Sequence, residues 1–109
     1  QGPIIGAPPA DETIAAAATI TANACGTVKI ITAAGAVTTN TTDTFTAPAA
    51  ANKGCIMVIV NTGANNITLD ANANFQTVGG TDVVLTQNDS VTVFSDGTDW
   101  RQQGALVAL

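Results

Sequence analysis

The run Cys55-Ile56-Met57-Val58-Ile59-Val60 is apolar at every position, bounded by Gly54 before it and Asn61-Thr62-Gly63 after it. It is too short for a core helix, and most of it is β-branched, which suits a pleated sheet. The run therefore predicts a central strand buried on both faces. A chain of 109 residues meets that demand in two ways. Either it closes a barrel, or it sets a sandwich core on one face of the strand and a subunit interface on the other.

The rest of the chain reads as short strands and turns. Thr27-Val28-Lys29-Ile30-Ile31-Thr32 alternates at Val28 and Ile30 and predicts a strand, with a short loop at Ala33-Ala34-Gly35 and a return over residues 36–39. A weaker strand is expected over residues 18–22. The Thr-rich residues 38–46 fit a strand or a polar loop, with Phe45 as an anchor. Asn66-Ile67-Thr68-Leu69-Asp70 alternates with Ile67 and Leu69 inward, and is expected to form a hairpin with the apolar run. Residues 71–82 read as loop, with Phe75 and Val78 as anchors. Val83-Val84-Leu85-Thr86 is a short strand. In Ser90-Val91-Thr92-Val93-Phe94-Ser95, Val91 and Val93 share one face and Phe94 takes the other. Asp96-Gly97-Thr98-Asp99 is a tight turn, since Asp-Gly accepts positive φ, and Trp100-Arg101-Gln102 pairs back. No helix longer than one turn survives. An all-β sandwich or barrel follows.

Composition removes several functions. Hydrophobic residues make up 46% of the chain, which excludes wholesale disorder. No His and no Tyr are present, so the commonest general base and metal ligand is missing. The three cations, Lys29, Lys53 and Arg101, in a chain of net charge −5 cannot build the basic stripe that nucleic acid requires. The longest apolar run falls far short of the roughly 20 residues that span a bilayer. Only 10% of residues are charged, against about 25% in ordinary domains. The surface is thus mostly Thr, Asn, Ala and Gln. That suits a part packed against its own copies or a larger assembly.

Candidate chemistry is thin. The acids, Asp11, Glu12, Asp43, Asp70, Asp82, Asp89, Asp96 and Asp99, fall mostly in turns, where Asp caps its own backbone. Asp96 and Asp99 lack the further ligands of a calcium loop. Asn40-Thr41-Thr42, Asn66-Ile67-Thr68 and Asn88-Asp89-Ser90 fit the glycosylation triplet, as expected by chance in so Asn- and Thr-rich a chain. Trp100 follows a tight turn and reads as a core or interface plug, with sugar stacking the alternative. Cys25 and Cys55 permit one disulfide, but buried free thiols are expected.

One resemblance rests on three segments. Ile59-Val60-Asn61-Thr62-Gly63-Ala64-Asn65-Asn66-Ile67-Thr68-Leu69, then Val84-Leu85, then Ser90-Val91-Thr92-Val93-Phe94-Ser95-Asp96-Gly97-Thr98-Asp99-Trp100 resemble the small β-domains of tailed-phage particles. Those domains occur in capsid decoration (cement) proteins, head fibres and tail-fibre segments. The resemblance implies a trimer on an icosahedral shell and no catalytic residues. The lack of repeats favours cement over fibre.

The expectation is an all-β, compact antiparallel β-sandwich or jelly-roll-like barrel, formed by residues 13–109 behind an extended N-terminal arm of residues 1–12. It is expected to be a non-enzymatic viral structural protein: a capsid decoration protein that trimerises on the outer capsid surface of the virion, after assembly in the host cytoplasm. The expected partners are the major capsid protein and two further copies, with no nucleic acid, membrane, small-molecule substrate, cofactor or metal. Ile4 and Ile5 of the arm are expected at the partner interface, with Cys55, Met57, Ile59, Phe94 and Trp100 of the domain. The alternatives are a tail-fibre or spike segment and a secreted carbohydrate-binding module.

Overall fold

Two β-sheets face one another across a single apolar core. The computed structural model describes residues 10–22 and 26–104. In chain order the strands are β1 (Glu12–Thr13), β2 (Thr27–Thr32), β3 (Val37–Thr38), β4 (Ile56–Asn61), β5 (Ile67–Leu69), β6 (Phe75–Gln76), β7 (Val83–Leu85), β8 (Ser90–Ser95) and β9 (Trp100–Gln102). One sheet has the order β1-β2-β4-β8-β9-β6 and the other β3-β5-β7. The only helical elements among the described residues are two short 3-10 turns, Ala50–Asn52 and Val78–Gly80.

The all-β sandwich agrees with the sequence pattern; the sense of the ladders does not. β2 pairs in parallel with β1 and β4, β3 with β5, and β6 with β9. Only β4–β8, β5–β7 and β8–β9 are antiparallel. The expected hairpin of β4 and β5 is absent, because the two strands lie in different sheets. Asn61 is the physical reason. Its carboxamide accepts the Gly63 N–H and donates to the carbonyls of Asn65 and Leu85, both at 2.8 Å. These bonds bend the chain out of β4 toward the second sheet. The expected return of residues 36–39 onto β2 fails likewise, since β3 joins β5. Residues 18–22 form only an isolated bridge, Ile20 to Phe45. The β8–β9 hairpin forms as expected around Gly97, whose φ of 95° needs a residue without Cβ.

The core alternates along each strand. Ile31, Met57, Ile59, Val91 and Val93 of the large sheet pack against Ile67, Leu69, Val83 and Leu85 of the small one, all buried. Phe45 sits edge-on to Phe75, with centroids 5.1 Å apart, and 6.4 Å from the Trp100 ring. Phe75 is the anchor expected in its loop, but Val78 is exposed. Double Gly after Val78, both with positive φ, turns that segment outward.

Cys55 is disulfide-bonded, which corrects the expectation of free thiols. The other cysteine of the chain, Cys25, lies outside the described residues. The free-thiol reading did not foresee the parallel register that sets Thr27 opposite Met57.

Candidate functional site

A β-strand sends successive side chains to opposite faces. In β4, Met57 and Ile59 turn into the core, and Ile56, Val58 and Val60 turn out. In β2, Lys29 and Ile31 turn in, and Val28 and Ile30 turn out. In β8, Val91 and Val93 turn in, and Thr92 and Phe94 turn out. Pairing then gathers the outward residues. Val28 stands beside Val58, and Ile30 beside Val60. Ile56 stands opposite Phe94, and Val58 opposite Thr92. The outer faces of β2 and β4 are therefore mostly apolar, whereas β8 adds Phe94 together with the polar Thr92 and Ser90. Ile56 remains 43% exposed and Val28 48%.

Three of the residues expected at a partner interface are not on this surface. Met57 and Ile59 are fully buried in their own core, and Trp100 is 2% exposed. An all-apolar run carries no mark of which parity faces inward, so Met57 and Ile59 stood in for Ile56, Val58 and Val60. The indole N–H of Trp100 donates to the Thr46 carbonyl at 2.9 Å, and its ring plugs the core beside Phe45. No ring face is left for a sugar. Phe94 does lie on the outer face, half-buried, and Cys55 stands at its edge just before β4. Ile4 and Ile5 lie outside the described residues. Val28, Ile30, Ile56, Val58 and Val60 were missed. No local signal in the sequence finds them: Lys29 reads as an outward residue, and only its burial against Glu12 shows that Val28 and Ile30 turn out.

Lys29 is buried because its charge is met inside. Its ammonium lies 3.1 Å from Glu12 Oε1 and donates to the Ala10 carbonyl at 2.8 Å. Glu12 Oε1 also accepts the Thr21 N–H at 3.0 Å. The ion pair thus fastens β1 to β2 and to the segment around Ile20.

Several of the carboxylates are occupied by structural work. Asp96 Oδ1 accepts the N–H groups of Thr98 and Asp99, while Oδ2 meets Arg101 at 2.6 Å. The Asp99 N–H first, then Arg101 and the Thr98 N–H, hold the Asp96 carboxyl down to about 2. Asp89 accepts the Thr86 hydroxyl and N–H, which lower its pKa in that order. Asp82 caps the Ala71 N–H. Asn40 Oδ1 accepts the Thr42 and Asp43 N–H groups, an Asx turn. Among the described residues no cluster of His, Cys, Asp or Glu is arranged to hold a metal ion, and no helix is long and apolar enough to cross a membrane. An open hollow of about 190 Å³ lies among Ala71, Asn72, Phe75, Gln76, Thr77 and Gly80. Its polar walls are largely committed: the Asn72 amide donates to Thr44 Oγ1 and Asp70, and Asn72 Oδ1 accepts the Asn74 and Phe75 N–H groups.

A family model described as "Phage depolymerase C-terminal beta sandwich domain" matches residues 12–101, which run from β1 to β9. No curated protein and no solved structure matches the chain.

Proposed function

The chain belongs to the phage depolymerase C-terminal β-sandwich family, and from that premise we propose that it is a non-enzymatic structural domain of a phage tail protein, present as a homotrimer. The carrying observation is the family match, which spans nearly all of the described sandwich. The side-chain chemistry supports a structural role. The ionic and amide groups described above close turns, join the sheets or neutralise one another, and none of them forms a nucleophile–base pair. The low charge of the surface and the partly exposed apolar residues of β2 and β4 fit a part that works inside an assembly.

The tail is favoured over the capsid because the family is described by a depolymerase and not by a shell protein. Decoration of the outer capsid, with the major capsid protein as partner, relies on the same burial physics and is decided by experiment. Gold-labelled antibody against this chain is applied to intact particles. Label on the tail is the expected outcome. Label over the head surface would restore the capsid-decoration reading, and particles without label would overturn both. The purified chain is expected to leave bacterial polysaccharide uncut; release of reducing ends would overturn the non-enzymatic part.

A further inference from the structure

Cys55 is disulfide-bonded, and Cys25 is the chain's one other cysteine. The described residues around Cys55 are already tied without that bond. The β2–β4 ladder starts two residues after each cysteine, with Thr27 beside Met57, and runs on to Ile31 and Asn61. Before the ladder, the Gly26 N–H donates to the Ile56 carbonyl at 2.7 Å. The Cys55 carbonyl accepts the Ser95 N–H, and its own N–H donates to the Asn52 carbonyl, both at 2.9 Å. The Gly54 N–H donates to the Ser95 carbonyl at 2.7 Å. Met57 and Ile59 then enter the core. Neighbouring strands lie about 4.8 Å apart, and disulfides join Cα atoms about 4.4–6.8 Å apart. The ladder alone therefore brings β2 and β4 to bridging distance.

A phage protein is made in the bacterial cytoplasm, where glutathione and thioredoxin hold cysteines as thiols. We propose that the sandwich folds with both cysteines reduced, and that the bridge is a latch closed by oxidation after the host cell breaks open. This rests on the phage reading for the place of synthesis alone, whichever part of the particle the chain occupies. The oxidant is a small disulfide of the oxidised-glutathione class. One cysteine thiolate attacks a sulfur of that disulfide and expels one small thiolate, leaving a mixed disulfide. The second cysteine thiolate attacks the protein sulfur of the mixed disulfide and expels the other. The two protons shed by the cysteines end on the two expelled thiols. Two protein thiols are thus oxidised to one bridge, and one small disulfide is reduced. The ladder makes the second attack intramolecular and oriented, so it is fast in the folded chain. Outside the cell no chaperone rescues an opened chain, and there the closed loop limits opening.

The latch is tested first in living bacteria that express the 109-residue chain in their cytoplasm. Cells are quenched in acid, which protonates thiols and stops exchange. The chain is then alkylated with N-ethylmaleimide in urea, and its intact mass counts the maleimides. Two per chain are expected before lysis, and none after the lysate has stood with oxidised glutathione. Fewer than two before lysis would mean that the bridge forms inside the cell, which overturns the timing. Two after oxidation would mean that the latch does not close, which overturns the proposal. The purified, reduced chain is tested next. It should melt cooperatively, and oxidised glutathione should close its bridge about 100-fold faster in buffer than in urea. Thermolysin should cleave the bridged chain on the order of 100-fold more slowly than the reduced one. The double variant Cys25→Ser, Cys55→Ser should be cleaved like the reduced chain, with or without oxidant. A reduced chain with no cooperative melt would show that folding needs the bridge, and equal closure rates in buffer and urea would show that the ladder does not prepare it; either overturns the proposal. Neither measurement uses particles, whereas the antibody label on particles reads the tail assignment, so each can fail alone.

Discussion

Met57 and Val58 are neighbours in one strand, similar in hydrophobicity, and they meet opposite surroundings. Met57 belongs to the inner face of the large sheet, where it and Ile31, Ile59, Val91 and Val93 are buried against the small sheet. Val58 belongs to the outer face, where Val28, Ile30, Ile56, Val60 and Phe94 are mixed with Thr92 and Ser90, and it stays partly exposed. Neighbours of like hydrophobicity and unequal burial show that the inner face was shaped by folding. The outer face contributes less to the stability of the single chain.

Truncation on the two faces should therefore differ the most. Ile59→Ala leaves a cavity in a close-packed core and is expected to cost about 2–5 kcal/mol. Val58→Ala removes methyls that already touch water and should cost less than about 1 kcal/mol in dilute, monomeric chain. Urea melts of both variants measure the gap. Equal losses would mean that something in the chain covers the outer face, and the contrast would collapse.

Reduction of the disulfide at Cys55 is the next largest effect. The chain has one other cysteine, Cys25. A bridge between those positions closes a loop of about 30 residues, for which the chain-entropy account gives about 3.5 kcal/mol of stabilisation. Thermal melts with and without reductant should differ accordingly. Since Cys55 sits where β4 begins, reduction should loosen both faces together. An unchanged melt would remove the disulfide from the account of the fold.

How far these faces could be read from sequence depends on the range of each signal. The β8–β9 hairpin was legible because Asp96-Gly97 acts within the turn itself. Inward Ile67 and Leu69, and Val91 with Val93 opposed to Phe94, were legible because polar residues alternate with them. The partnership of β2 with β4 was not, since parallel ladders join distant segments and leave no local mark at Thr27 or Met57. The polarity of β2 misleads outright. Val28 and Ile30 look like an inward face, but Glu12, remote in sequence, neutralises Lys29 and lets it hold the inside. The candidate interface was half legible for the same reason: the strand was found, and its parity was not.

Lys29 gives the sharpest check on that inversion. Glu12→Ala leaves an ammonium that is nearly fully buried without its counter-charge. The loss is expected near 2 kcal/mol, below the usual 3–5 for a fully buried pair, because Glu12 itself is partly exposed. Adding Lys29→Met should recover most of it, since an apolar chain of similar length fills the same space. Urea melts of the single and double variants form the test. If the double variant is worse than the single one, Lys29 holds the inner face by more than charge neutralisation.

The smallest expected effect lies at the rim of the outer face. The Asp96 carboxyl is held down to about 2, chiefly by the Asp99 N–H, then by Arg101 and the Thr98 N–H. Its folded-state value is thus below the unfolded one, near 3.9. By linkage, its contribution is fully present above the unfolded value and is lost as pH falls from about 4 toward about 2. The group is exposed, so the contribution is small and screened by salt. Asp96→Asn keeps a side-chain oxygen for the turn but removes the titrating charge. The parent's melting temperature should fall more steeply than the variant's across that pH window, and the difference should shrink at high salt. The turn sets Phe94 opposite Arg101, so protonation should also shift the amide resonances of Phe94 and Arg101, while those of Met57 and Ile59 stay fixed. Movement at Met57 and Ile59 as well would mean that the rim and the core respond as one unit, and that the two faces are less independent than their burial indicates.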